Sequence, residues 1–172
     1  MRESDEDVRE LQRLLDHSRE AAGAHLRDIF DADHALTAAV LCPMLDGINV
    51  LAVATVTAGG EPRVAPVDGI FYRGRWLFGS SPDSARFRHL RRQPAVSACH
   101  TRGEELGVIV HGRAVEFALD DPAHADAADL LHSLYIPRYG RSWVDFVAGC
   151  PFAVIEPDRM FARRALASEL PT

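Results

Sequence analysis

Along the N-terminal segment the apolar residues Val8, Leu11, Leu14, Leu15, Ala22, Leu26 and Ile29 recur at helical spacing, with acids and arginines between them. The pattern predicts a helix over residues 4–30, opened by a capping box of Ser4 and Asp7. Its stripe is one-sided, so the helix needs a surface to lie on. A shorter helix over 35–46 is limited by Pro43. At Ile48 the pattern changes. "INVLAVATVT" is rich in β-branched residues with few polar positions, which predicts a strand buried on both faces. The turn "AGGEP" leads into "RVAPVDGIFY", a second strand whose Pro66 and Gly69 mark an edge, bend or bulge. Arg73-Gly74 turns into a third strand, "RWLFGS".

Residues 83–92 read as a helix, 95–101 as a fourth strand and 106–119 as a longer fifth. A helix over 120–135 starts at "DDP", with Pro122 near its first position. A short helix over 142–148 and one or two final strands in "FAVIEPDRMFARRA" complete the chain. Consecutive strands joined by hairpin-length turns predict an antiparallel sheet closed into a small barrel, a mainly β (α+β) architecture.

Composition narrows the function. The 172 residues are 47% hydrophobic, enough for a core, and the net charge of −6 argues against nucleic acid or an anionic membrane as partner. No apolar run approaches a membrane span, and the charged start "MRESDEDVRE" lacks a signal peptide's apolar stretch. Cys42, Cys99 and Cys150 are odd in number and far apart, which predicts free thiols and a cytoplasmic home. The eight histidines form no metal-ligand spacing, so no metal site is expected.

Against that acidic background "GSSPDSARFRHLRRQP" (79–94) concentrates four arginines directly after a strand. Ser80, Ser81 and Ser84 supply hydroxyls, and the helix that follows points its positive dipole end at them. Arg86 lies in that helix's first turn and can bring a bidentate fork to the same place, whereas Arg88 lies about 200° around the helix. If a hairpin brings Arg63 alongside the third strand, then Arg63, Ser80, Ser81 and Arg86 meet around one phosphate. The competing interpretation is a solvated, salt-bridged helix face.

The stretch "EPRVAPVDGIFYRGRWLFGSSPDSARFRHLRRQPAVSACH" resembles the core of the pyridoxamine 5′-phosphate oxidase-like family of flavin-binding split barrels. Arg63, Ser80, Ser81, Arg86, Leu90, Arg91, Arg92, Pro94, Val96 and Ser97 carry the resemblance, which extends over Leu36 to Ala165. It implies an extension at 1–35, a six-stranded split-barrel domain at 36–165 and a tail at 166–172. It also implies a homodimer with two flavin sites at the subunit interface. The cofactor phosphate then falls to Arg63, Ser80, Ser81 and Arg86, with Ser84 and Arg91 beside them. Val64, Pro66, Val67 and Asp68 lie on the strand whose backbone follows the flavin ring. The family usually has Lys where Arg86 stands, and its oxidases often have Lys where Asp68 stands; Arg keeps the charge at the first, and Asp reverses it at the second.

The implied cofactor is FMN or the deazaflavin coenzyme F-420, whose polyanionic tail would suit Arg88, Arg91, Arg92 and Arg102; haem binding is also known in the wider group. The expected activity is hydride transfer to or from a small organic substrate, with no side chain named as a catalyst. The alternative is a flavin or haem protein that stores or senses without turnover. The ending "DRMFARRALASELPT" does not match the substrate motif of a genuine pyridoxamine phosphate oxidase. His100 and His111 read as structural residues more readily than as pocket residues. "HSLYIPRYGRSW" (132–143) either caps the substrate side or packs on the barrel.

Overall fold

Six antiparallel strands, β1 (Ile48–Val56), β2 (Pro62–Tyr72), β3 (Arg75–Gly79), β4 (Ala95–Arg102), β5 (Leu106–Phe117) and β6 (Phe152–Arg164), close into a barrel in the order β1-β2-β3-β6-β5-β4. The computed structural model describes residues 3–166. The helices are α1 (Asp5–Glu20), α2 (Ala24–Ile29), α3 (Ala38–Met44), α4 (Ala85–Arg92), α5 (Ala125–Tyr139) and α6 (Ser142–Val147). Among the described residues no helix is long and apolar enough to cross a membrane.

Closure is uneven, and the unevenness shapes the molecule. β2 pairs with β1 from Pro62 to Ile70, but with β3 only from Gly69 to Tyr72. The first half of β2 therefore has no strand on its β3 side. Pro66, which lacks an N–H to give a ladder, stands in this half. β6 is one continuous strand that pairs with β5 along its length and with β3 at its start, so it joins the two halves of the sheet.

Inward residues such as Leu51, Val53, Trp76, Phe78, Val108 and Ile155 fill the barrel. β1 is not buried on both faces: Val50 is 65% exposed, and Ala52 and Ala54 are half-buried. The predicted helix over 4–30 is two helices. The capping box of Ser4 and Asp7 opens α1 as expected. The chain then breaks after Glu20 and restarts at Gly23, so that Ala22 and Phe30 pack on Phe161 of β6. The predicted helix over 120–135 is a 3-10 turn at Pro122–His124 followed by α5, which runs past Pro137 to Tyr139.

Two fixtures hold the outer helices to the barrel. Ser18 of α1 is fully buried; its hydroxyl donates to Leu14 O (2.7 Å) and accepts from Met160 N (2.9 Å), so both buried polar groups are satisfied. On α4, Phe87 is buried against Phe78, and His89 Nδ1 lies 2.9 Å from Thr55 Oγ1 of β1. The thiols of Cys42, Cys99 and Cys150 are free, and burial pushes that of Cys42 up to about 11.

Ser18→Ala strands the Met160 N–H in the core and should cost about 1–3 kcal/mol, read from urea unfolding. Gly112 sits at the β5–β6 bulge, where an added Cβ would stand 2.0 Å from Glu156 O. That oxygen belongs to backbone paired across the sheet and has little room to yield. Gly112→Ala should therefore destabilise by at least about 2 kcal/mol; a melting temperature unchanged from the parent protein would refute the close approach.

Candidate functional site

The free edge of β2 is met by a cation. Arg86 Nη2 donates to Ala65 O (3.3 Å) and Pro66 O (3.2 Å), reaching from the first turn of α4 to the unpaired half of the strand. The guanidinium is half-buried, and desolvation alone draws its pKa down. No carboxylate offsets that loss, and Arg86 is in no ion pair among the described residues. Two carbonyl dipoles compensate a full charge only in part, so the site favours an anion.

The local sequence builds this corner. At Gly79, the last residue of β3, the Phe152 ring lies 2.5 Å from where a Cβ would sit, so the position has no room for a side chain. The chain then turns through Ser80 to Asp83, with Ser80 N donating to Pro151 O (3.2 Å) and Ser84 N to Ser81 O (3.0 Å). Ser84 caps α4 by accepting from Phe87 N (3.3 Å). Its hydroxyl is occupied in this way, while Ser80 and Ser81 line a cavity.

That cavity, about 530 Å³, is walled by Val67 and Asp68 from β2, by Gly79 to Pro82, and by Tyr135, Trp143 and Phe146 from α5 and α6. It brings together Val67, Asp68, Ser80 and Ser81 of the residues singled out in the sequence. The others lie around it or away from it. Val64 and Pro66 are exposed on β2, where Val64 pairs with Ala54 and Pro66 with Ala52. Arg63 pairs in register with Thr55 of β1 and does not lie alongside β3. Its guanidinium holds Glu61 (2.6 Å) in an exposed ion pair, worth about 0–1 kcal/mol and easily exchanged for a better anion. Arg91 faces a different groove, where it grips both carboxylate oxygens of Glu116 (2.9 and 2.7 Å).

The aromatic run at 132–143 packs on itself and also contributes to the cavity wall. Tyr135 and Trp143 are buried and stacked (4.7 Å between centroids, 5° between planes), and both also wall the cavity. The contact that sequence reasoning missed is Tyr135 Oη donating to Asp68 Oδ2 (3.0 Å). It joins residues far apart in the chain, and the only hint of it was the density of aromatics. Burial, followed by the Asp68 charge, raises the Tyr135 pKa strongly, so the phenol stays a neutral donor. His100 is buried with Nδ1 donating to Val50 O (2.9 Å), and His111 pairs with Ser97 (2.8 Å); neither lines the cavity. Among the described residues no cluster of His, Cys, Asp and Glu is suited to a metal ion.

Comparison with known proteins fits this frame. No curated protein matches the chain. Its fold is similar to that of the conserved hypothetical protein Rv2991 from Mycobacterium tuberculosis, at 19% identity and TM-score 0.68, covering 83% of this chain and 93% of that one. It is also similar to an FAD-binding protein from Mesorhizobium loti (21% identity, TM-score 0.53, 69% and 85% covered). A third likeness is to an F420 reductase (18% identity, TM-score 0.50, 69% and 93% covered). At these identities the likeness is one of fold. The model of the pyridoxamine 5′-phosphate oxidase family matches residues 40–165, which is most of the sequence and includes the whole barrel. On that match, the chain belongs to the pyridoxamine 5′-phosphate oxidase family.

Proposed function

We propose that the protein is a flavin-dependent oxidoreductase that holds FMN along the free edge of β2. The observation that carries this reading is Arg86: a half-buried cation without a carboxylate partner, beside the start of α4. A phosphate there would complete the charge balance that the Ala65 and Pro66 carbonyls begin. Ser80 and Ser81 would add hydroxyl donors, and Arg63 would turn from Glu61 to the same anion. The FAD-binding and F420-reductase relatives support a flavin-type ligand on this fold. When bound, such a ring accepts or donates a hydride.

The chain's own residues favour FMN over the deazaflavin coenzyme. A polyanionic tail needs free cations beyond the first phosphate. Arg88 donates to Asp83 O, Arg91 is locked to Glu116, and Arg102 donates to Met44 O and to Asn49 Oδ1 (3.4 Å). Of the four arginines suited to such a tail, only the exposed Arg92 is without a partner among the described residues, and one compact phosphate at Arg86 asks for none of them.

The outer face of β1, β2 and β4 supports the homodimer. Val50 and Val64 are 65% and 69% exposed, and Ala52 pairs with Pro66 on one side and Cys99 on the other, giving a broad apolar face beside the cofactor edge. A second copy covering it would shield the ring side of β2 from water.

Arg86→Glu places a like charge against the phosphate. The variant should keep its circular-dichroism spectrum and purify with less than about a tenth of the parent's flavin. Stoichiometric flavin in this variant would refute the site. In solution the parent should have about twice the 18.9 kDa chain mass by light scattering. Val64→Arg should shift it toward one chain mass, and a monomeric parent would refute the dimer.

A further inference from the structure

The two charged side chains at the edge of β2, Arg86 from α4 and Asp68 of β2 itself, have opposite signs and are not partnered with each other. Arg86 reaches the strand at Ala65 and Pro66; Asp68 stands two residues further on, in the cavity wall. Only desolvation shifts Arg86, so the Asp68 carboxylate does not neutralise it. Asp68 is the one charged side chain among the residues lining the cavity, whose other walls are mainly apolar and aromatic. One of its oxygens, Oδ2, accepts from Tyr135. Oδ1 has no hydrogen-bond partner among the described residues.

Tyr135 makes this an oriented carboxylate. The phenol is 7% exposed, and its ring stacks with Trp143 at 4.7 Å and with Tyr139 at 6.0 Å between centroids. Burial and stacking restrict the ring, so its hydroxyl holds Oδ2 and leaves Oδ1 for an incoming group. Phe146, 77% exposed, stands at the same cavity and offers an apolar surface. Asp68 is solvent-exposed at the mouth of the cavity, and its charge attracts a cation and repels an anion there. Aromatic walls add to the preference for a cation with an apolar body.

We propose that this cavity is a subsite for a small organic cation, an amine or charged nitrogen heterocycle carrying an apolar body, with Asp68 Oδ1 as the specificity-determining acceptor and Tyr135 as its positioning residue. Ser80 and Ser81 of the same cavity are left to the cofactor phosphate; it is the Asp68 end that discriminates against phosphorylated and carboxylated ligands. Calling its ligand a substrate rests on the flavin reading above; the charge selection does not.

The test is calorimetric titration of the purified full-length protein with benzylamine, benzyl alcohol and benzoate at neutral pH. Benzylammonium should bind at least about tenfold more tightly than benzoate, with the alcohol between them. In Asp68→Asn that ratio should fall to within about threefold. Raising the salt concentration should weaken benzylammonium binding to the parent protein, which tests the charge without any substitution. Tyr135→Phe should retain the preference in a weaker form, because the carboxylate remains but is no longer held. Equal binding of the three probes, tighter binding of benzoate, binding of none, or a preference that survives in Asp68→Asn would each overturn the proposal. Flavin content is read from the absorbance of the same samples. Cation preference without flavin would support the subsite and refute the flavin reading; flavin without cation preference would do the reverse.

Discussion

A barrel that closes unevenly leaves backbone to be satisfied, and this molecule is organised around one such place. β2 follows β1 for its whole first half but meets β3 only from Gly69 onward. An unpaired strand edge inside a fold must be covered, charged or left to solvent. Here it is met by the guanidinium of Arg86, delivered by a helix that is itself fixed by the Ser84 cap, the buried Phe87 and the His89–Thr55 contact. The cleft is therefore a consequence of strand register. The same register puts Asp68 at its far end.

The charges along this cleft form a gradient. Among the described residues Arg86 lacks a counter-ion and Asp68 accepts only from a neutral phenol. Contrast Arg91, which is fully engaged with Glu116, or Arg9 with Glu6 on α1, where the protein supplies its own partner. Charges that the chain balances internally are surface chemistry. Those it leaves unbalanced near a cavity of about 530 Å³ are the basis of the two proposals made for ligands.

Much of the barrel was legible in the sequence, because strand alternation and turn residues are local. The bounds of β2, β3, β4 and α6 followed from Gly, Pro and β-branched patterning, and the capping box of α1 from Ser4 and Asp7. The break at Ala21–Gly23 was not legible, since a stripe of apolar residues continues through it; only the position of Phe161 explains the turn. β1 was misjudged because an apolar outer face has the same sequence signature as complete burial. In the site, Ser80, Ser81 and Arg86 could be read from a strand end followed by a helix start. Arg63 illustrates the limit: its place beside β3 depended on how far the hairpin pairing ran, and the pairing stops at Gly69. The Tyr135–Asp68 bond depends on how α5 docks, which no local pattern encodes.

The central claim is that the uncompensated cation at the β2 edge exists for the phosphate of a flavin. It is tested most directly by denaturing the purified protein and taking the absorbance spectrum and mass of the small molecule released. The account predicts FMN, near one molecule per chain. Haem, a deazaflavin or no ligand at all would contradict it.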